Sequence, residues 1–446
     1  MAKTATKEKK VSKPKKEKTD KQPTAPKKKV KVEKLHVKKT FEDDIIKFLK
    51  DDKKLNIDIG FMTETGSTVS RWLDTNSYTW NFLSSGRLDG GLPYGRVIEV
   101  FGDNFTGKSL LACQLAVQGQ IDDAIVIYFD PERSIDEITI ERLGGDPSVI
   151  VAPKAVKTIE KFNDTFVKIV ERIAAEEKNE RPVVVILDSL AMLSTDHEMK
   201  APDKVDYTKQ KKIRQFFRMY MDDCARYNIL LFVVNQVYDN IGVMFGPKTK
   251  ASGGQGLTYA CSQRYGLLSP VIEKSDTDSD VVATKVKAKA YKNRNSIPFR
   301  SVFIRSTYKT GFDRYGGLWE LLTDGDGGKA TGFNIISKVK RDDKTKEWVE
   351  SKTGSKYMIR GVFLDEEGKD IAFSQKEFVE LLQQNEKKAI KKIQELIDTR
   401  NDEAPGIDSL TEEEKIIVGV DDGGHLLTDK ELMEAEIKNL KNDKDN

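Results

Sequence analysis

The stretch Gly102, Asp103, Asn104, Phe105, Thr106, Gly107, Lys108, Ser109 decides how this chain is read. It follows an apolar run, Arg96-Val-Ile-Glu-Val-Phe101, that reads as a buried strand. It precedes Leu110-Leu-Ala-Cys-Gln-Leu-Ala-Val117, which reads as a buried helix. A glycine-bounded loop ending in Lys-Ser between a strand and a helix is the context of a P-loop. The loop's backbone N–H groups and the helix N-terminus form a concave anion site. Lys108 would reach the β- and γ-phosphates of a nucleoside triphosphate, and the Ser109 hydroxyl would ligate Mg²⁺. The alternative is a glycine-rich turn with a solvated lysine; four matched positions in the right context weigh against it.

Outward from the loop, apolar runs alternate with helical stretches. The runs are 96–101, Ala124-Ile-Val-Ile-Tyr-Phe129, Val183-Val-Val-Ile-Leu187 and Ile229-Leu-Leu-Phe-Val-Val234. Continuous apolar strands separated by helices predict an α/β fold with a mostly parallel sheet covered on both faces. Phosphate chemistry then sits at the carboxyl ends of those strands. The runs at 282–291 and 301–307 alternate more and predict antiparallel additions. Residues 41–58 predict a short amphipathic helix with Phe41, Ile45, Phe48 and Leu49 on one face. Beyond about residue 325 turns and charges dominate, until residues 376–399 read as helices. The implied organisation is a disordered basic arm (1–40), a helix and linker suited to subunit contact (41–85), an ATPase core (86–325), a C-terminal region with helices (326–400) and an acidic flexible tail (401–446).

The net charge of +3 conceals a polarity along the chain. Residues 1–40 hold sixteen lysines against four acids, and residues 401–446 hold five lysines against fourteen acids. The basic end has almost no large apolar residues and should be disordered; it either contacts nucleic acid or acts as a solubilising tail. Three cysteines and three histidines lack zinc spacing, and a disulfide scaffold is excluded. Cys113 reads as a small core residue. No run approaches the roughly 18 apolar residues of a membrane span, no secretory h-region exists, and no arginine precedes Arg71, so a cytoplasmic protein is expected, with no membrane partner.

Each strand end carries a polar group. Val183–Leu187 is followed by Asp188-Ser189, and the Asp188 carboxylate would hold Mg²⁺ through its water shell. Ala124–Phe129 is followed by Asp130-Pro-Glu132; Glu132 is the candidate general base, and Asp130 could instead cap a turn. Ile229–Val234 leads into Asn235-Gln236, where a neutral amide can touch a γ-phosphate and report its loss. The Gly/Lys/Ser-rich segment after it carries Ile241-Gly242-Val243-Met244-Phe245-Gly246. Met244 or Phe245 could wedge between bases of a single strand while Lys248 and Lys250 neutralise phosphates; Val243–Phe245 could equally tuck into a core.

Gly91-Leu-Pro-Tyr-Gly-Arg-Val-Ile-Glu-Val-Phe-Gly102, Phe129-Asp-Pro-Glu132, Asn235-Gln236 and Ile241–Gly246 with Gly253 and Gly254 resemble RecA-type recombinases, from about Gly86 to Leu322. The similarity also extends to the UvsX branch found in phages. The resemblance implies a RecA-type P-loop NTPase core using ATP and Mg²⁺. Gly102 to Ser109 with Leu110 would bind the nucleotide, Glu132 would act as base, Asp188 would be the Walker B acid and Gln236 the γ-phosphate sensor. Residues 237–256 would be the second DNA loop; 194–209 would be the first by position only, since Thr195 to Pro202 departs from the family sequence. Lys292 and Arg294 would reach the ATP of a neighbouring subunit, and Asp136 and Tyr308 would flank the base. The implied partners are single- and double-stranded DNA, further copies in a helical filament, a single-strand-binding protein and a loading mediator, in a phage-infected bacterial cell. The competing expectations are a ring-forming replicative helicase and a non-catalytic ATP-binding filament or mediator protein.

Overall fold

A computed structural model describes residues 40–51, 68–176, 181–200, 208–239, 249–251, 254–274, 281–307 and 309–403. The chain divides into a compact unit ending at Phe61 and a second running from Met62. The described part of the first unit is the helix Thr40–Asp51, on which Ile45 and Phe48 are exposed.

The second unit is organised by one nine-stranded sheet. Its strands are β1 (Val97–Gly102), β2 (Ile125–Phe129), β3 (Val183–Leu187), β4 (Ile229–Asp239), β5 (Gln263–Lys274), β6 (Val281–Asn293) and β7 (Ser301–Thr307), with two short additions, Thr249–Ala251 and Gly311–Phe312. The order β2-β3-β4-β1-β5 is parallel throughout, and β6, β7 and Gly311–Phe312 continue it antiparallel. The antiparallel additions expected at 282–291 and 301–307 are therefore present.

The apolar runs are continuous because both faces of the parallel strands are covered. Val184 and Ile186 of β3 and Leu230, Phe232 and Val234 of β4 enter one core, together with Leu111, Leu115 and Ala116 of helix α2 (Lys108–Ile121). Their alternates Val183, Val185, Leu187, Ile229, Leu231 and Val233 enter the other. That second core is closed by Phe162 and Phe166 of α3 (Ile159–Ala174) and Phe216 and Phe217 of α4 (Lys209–Arg226). The first core also receives α1 (Tyr78–Ser85), which is started by the Ser77 side chain and stopped by left-handed Gly86.

A short helix, α5 (Gly254–Ala260), precedes β5. The region after residue 325 holds more regular structure than its turns and charges announce. It contains a three-stranded antiparallel sheet, β9-β8-β10, from β8 (Ser337–Arg341), β9 (Trp348–Glu350) and β10 (Lys356–Met358). The helices α6 (Glu377–Gln384) and α7 (Glu386–Glu403) follow. Phe363, Phe373 and Phe378 pack ring against ring with Trp319. One carboxylate oxygen, Oε1 of Glu386, accepts from Tyr78 (2.5 Å), Arg314 (2.9 Å) and Tyr315 (3.0 Å), and so ties α7 to α1 and to the turn after Gly311–Phe312. Among the described residues no helix is long and apolar enough to cross a membrane.

Candidate functional site

The loop 102–109 lies where β1 ends and α2 begins. Gly102 has no room for a side chain: a Cβ would stand 2.5 Å from the Leu267 carbonyl oxygen. Gly107 takes φ 87°, the left-handed region open to glycine, and starts α2 without a side-chain cap, which leaves the first-turn N–H groups for a ligand. Phe105 takes φ 63° and is 95 % exposed at the rim. Thr106 Oγ1 donates to the Asp103 carbonyl (2.8 Å), bracing the turn.

Lys108 is buried, and its ammonium donates to the carbonyls of Gly102 (2.9 Å) and Asp103 (2.6 Å). Burial pushes its pKa down, against the pull of Asp188, Asp103 and Glu132. A cleft of about 240 Å³ opens beside it, with Ser109, Glu132, Asp188 and Gln236 in its wall and Asn104, Phe105 and Leu110 at its loop side.

Asp188 is almost completely buried and accepts from the Tyr128 hydroxyl (3.0 Å) and from Ser109. Burial pushes its carboxyl up to about 6; Ser109 and Tyr128 oppose the shift, and Glu132 and Asp130 add to it. Glu132 Oε1 accepts from Ser189 Oγ (2.5 Å) and from Gln236 Nε2 (3.2 Å). Asp130 is turned away from the cleft and accepts from the backbone N–H groups of Ser134 (3.2 Å) and Ile135 (3.1 Å). Of the two acids after β2, Asp130 caps the turn and Glu132 enters the cleft. The donor set fits a triphosphate with a divalent cation: uncapped helix N–H groups and an ammonium for phosphate oxygens, a hydroxyl and a carboxylate for the hard cation.

Gln236 lies on β4, directly opposite Gly102 of β1. The strand runs on to Asp239, where Val237 to Asp239 pair with Thr249 to Ala251. This antiparallel pair brackets residues 240–248 in the sequence, directly after the strand that carries Gln236. Ile241, Gly242, Val243, Met244, Phe245, Gly246, Lys248, Gly253 and Tyr308 lie outside the described residues; Lys250 sits on the short strand and Gly254 begins α5. Within the positional first loop, Asp196–Lys200 is helical and 201–207 lies outside the described residues.

Three expected residues stand away from the cleft. Asp136 caps the short helix Glu137–Arg142 through Thr139 N (2.8 Å). Lys292 and Arg294 sit at the other end of the sheet. Pairing of Gly102 with Leu267, and of Arg264 with Lys292, places the loop at the carboxyl end of β1 and the two cations beside the amino end of β5. There Lys292 Nζ donates to the carbonyls of Thr258 (2.9 Å) and Tyr259 (3.0 Å), and burial and Arg294 push its pKa down. Two residues that bond the carboxylates of the cleft escape the sequence reading: Ser189, in its wall, and Tyr128, outside the wall and bonded to Asp188. Tyr128 is signalled only as the one hydroxyl in an apolar strand, and Ser189 only by following Asp188.

The sequence profile described as the RecA N-terminal domain matches residues 58–313. The chain is 28 % identical over 238 residues to "Protein RecA" of Rhizobium leguminosarum bv. viciae, covering 52 % of this chain and 64 % of that protein. It is 29 % identical over 236 residues to "Protein RecA" of Parvibaculum lavamentivorans, covering 52 % and 61 %. A third similarity, to "Protein RecA" of Mesoplasma florum, runs over 254 residues at 26 % identity, covering 56 % and 70 %. The chain thus spans less than two thirds of the length of the first two relatives.

Proposed function

The chain belongs to the RecA family, and from that premise we propose that it is a DNA-dependent ATPase that assembles as filaments on single-stranded DNA and promotes pairing and strand exchange with a duplex. The observation that carries this reading is the hydrogen bond from Gln236 to Glu132 in the cleft, on the strand that leads directly into the 240–248 segment. A change at the nucleotide can thereby reach a segment that carries Met244, Phe245 and Lys248.

In this reading the loop amides, Lys108 and Ser109 would hold the phosphates of ATP, and Ser109 and Asp188 would hold Mg²⁺. Bound Mg²⁺ would offset charge on the phosphate oxygens. Glu132 orients water and accepts its proton; Ser189 and Gln236 fix the carboxylate for that task. Gln236 moves when its phosphate contact is lost, and the register of Val237–Asp239 carries the movement to the DNA segment. Lys292 and Arg294, on the far end of the sheet, serve the cleft of a neighbouring copy. The 240–248 segment would stack on bases and neutralise phosphates without reading sequence, so base pairing between strands supplies the specificity.

The test measures ATP turnover with and without single-stranded DNA, and images the products by electron microscopy. Stimulated turnover on open helical filaments is expected. Closed rings would replace this reading with a helicase, and DNA-bound filaments without turnover would replace it with a structural filament.

A further inference from the structure

A second cleft, of about 390 Å³, lies at the start of β7 and shares no lining residue with the cleft beside the phosphate loop. It is lined by Arg300, Gly332, Phe333, Asn334, Arg400 and Asn401. None of these is acidic. The Arg300 guanidinium lies over the rings of Phe82 (5.2 Å) and Phe333 (5.7 Å) and donates to Asn401 Oδ1 (2.6 Å). By contrast Arg264 and Arg305 of the main sheet, and Arg314 just after it, each hold a carboxylate. Arg300 holds an amide oxygen and two aromatic faces, so its charge is desolvated without an opposite charge among the described residues. Burial pushes its pKa down to about 10, with no carboxylate pulling it back. A guanidinium presents five N–H donors in a planar fork, and oxyanions match that fork. Two asparagine amides beside it extend the donor set.

We propose that the Arg300 cleft is a phosphate-binding site, with Arg300 as its anchor and Asn334 and Asn401 as its amide wall. The phosphate group is either free, as inorganic phosphate, or part of a nucleic-acid backbone. The alternative role for Arg300 is a packing clasp between Phe82, Phe333 and α7.

The experiment uses the full chain carrying Lys108→Ala, so that the phosphate loop contributes little. Asn334 takes φ 51°, which aspartate tolerates, so Asn334→Asp adds a carboxylate to the cleft at low backbone cost. The thermal midpoint is followed against inorganic phosphate, with chloride at matched ionic strength as control. Affinity for a single-stranded oligonucleotide of about a dozen thymidines is measured at the same salt. A midpoint rise specific to phosphate, lost in Asn334→Asp and reduced about threefold in Arg300→Lys, establishes a free-phosphate site. No phosphate effect, but an oligonucleotide affinity about fivefold lower in both variants, establishes a backbone-phosphate site. If neither measurement responds to either variant, the proposal is overturned and Arg300 is a clasp.

Discussion

The two ends of the central sheet differ in what they gather. The carboxyl end brings Lys108, Ser109, Glu132, Asp188 and Gln236 around one cleft. The amino end brings Lys292 and Arg294 beside Arg264 and keeps its one buried acid, Glu99, occupied by Arg264 and Asn235. Acids and hydroxyls for a cation stand at one end, and cations for an anion stand at the other. Lys292 stands level with Glu99 of β1 and Arg294 further from the loop, so the two sets are held apart along the sheet. In the reading proposed above, a site using both would be built between copies.

The largest effect expected is that of Lys108→Ala, which removes the cation of the cleft end. ATP turnover should fall on the order of a thousandfold. Turnover within a few-fold of the unaltered protein would break the assignment of this end to phosphate. Arg294→Ala should cost about a hundredfold in turnover. Mixing the Arg294→Ala and Lys108→Ala proteins then sharpens the comparison. At equal amounts and random order, about a quarter of the mixed joints would unite an intact loop with an intact Arg294, and part of the turnover should return. Absence of any recovery in mixtures would show that the two ends do not meet.

A smaller effect concerns pH. Asp188 has a folded pKa raised above its ordinary value, to about 6. Between about 4 and 6 the folded, ligand-free protein holds more protons than the unfolded chain, so this group's contribution to stability falls as pH rises through that window. Above it, Asp188→Asn should stabilise the ligand-free protein by on the order of 2 kcal/mol, read from denaturant unfolding at pH 7.5. Mg²⁺ needs the carboxylate, so apparent Mg–nucleotide affinity should rise with pH up to about 6 and then level off; a flat profile would contradict the raised value. The smallest effect is that of Tyr128→Phe, which removes a hydrogen bond to the ionised Asp188. It should move that midpoint upward by less than about one pH unit and weaken Mg–nucleotide binding about threefold at pH 6.5.

The parallel strands were legible because their apolar residues face two cores at once, and the loop because Gly102 and Gly107 answer to backbone needs that no other residue meets. The sheet at 337–358 was not. Its strands are three to five residues long, and Lys338, Lys340 and Arg341 on β8 face solvent, so only Val339 marks a buried side. Within the cleft, Glu132 was legible as a polar residue at a strand end, whereas the bond from Ser189 to it joins residues 57 positions apart. Such a contact follows from strand order, and two parallel neighbours in a sheet leave no local mark of which residues will meet. The separation of Lys292 from the loop likewise follows from β5 being parallel to β1 and β6 being antiparallel to β5.

The Lys108 ammonium is bonded to the carbonyls of Gly102 and Asp103. In the proposed reading, nucleotide entry would be an exchange of acceptors, with carbonyl dipoles given up for phosphate anions. The gain in such an exchange comes from the charge difference between the two acceptors. A dephosphorylated nucleoside offers no anion in return, so on that reading the lysine would set a threshold of ligand charge for occupying the loop.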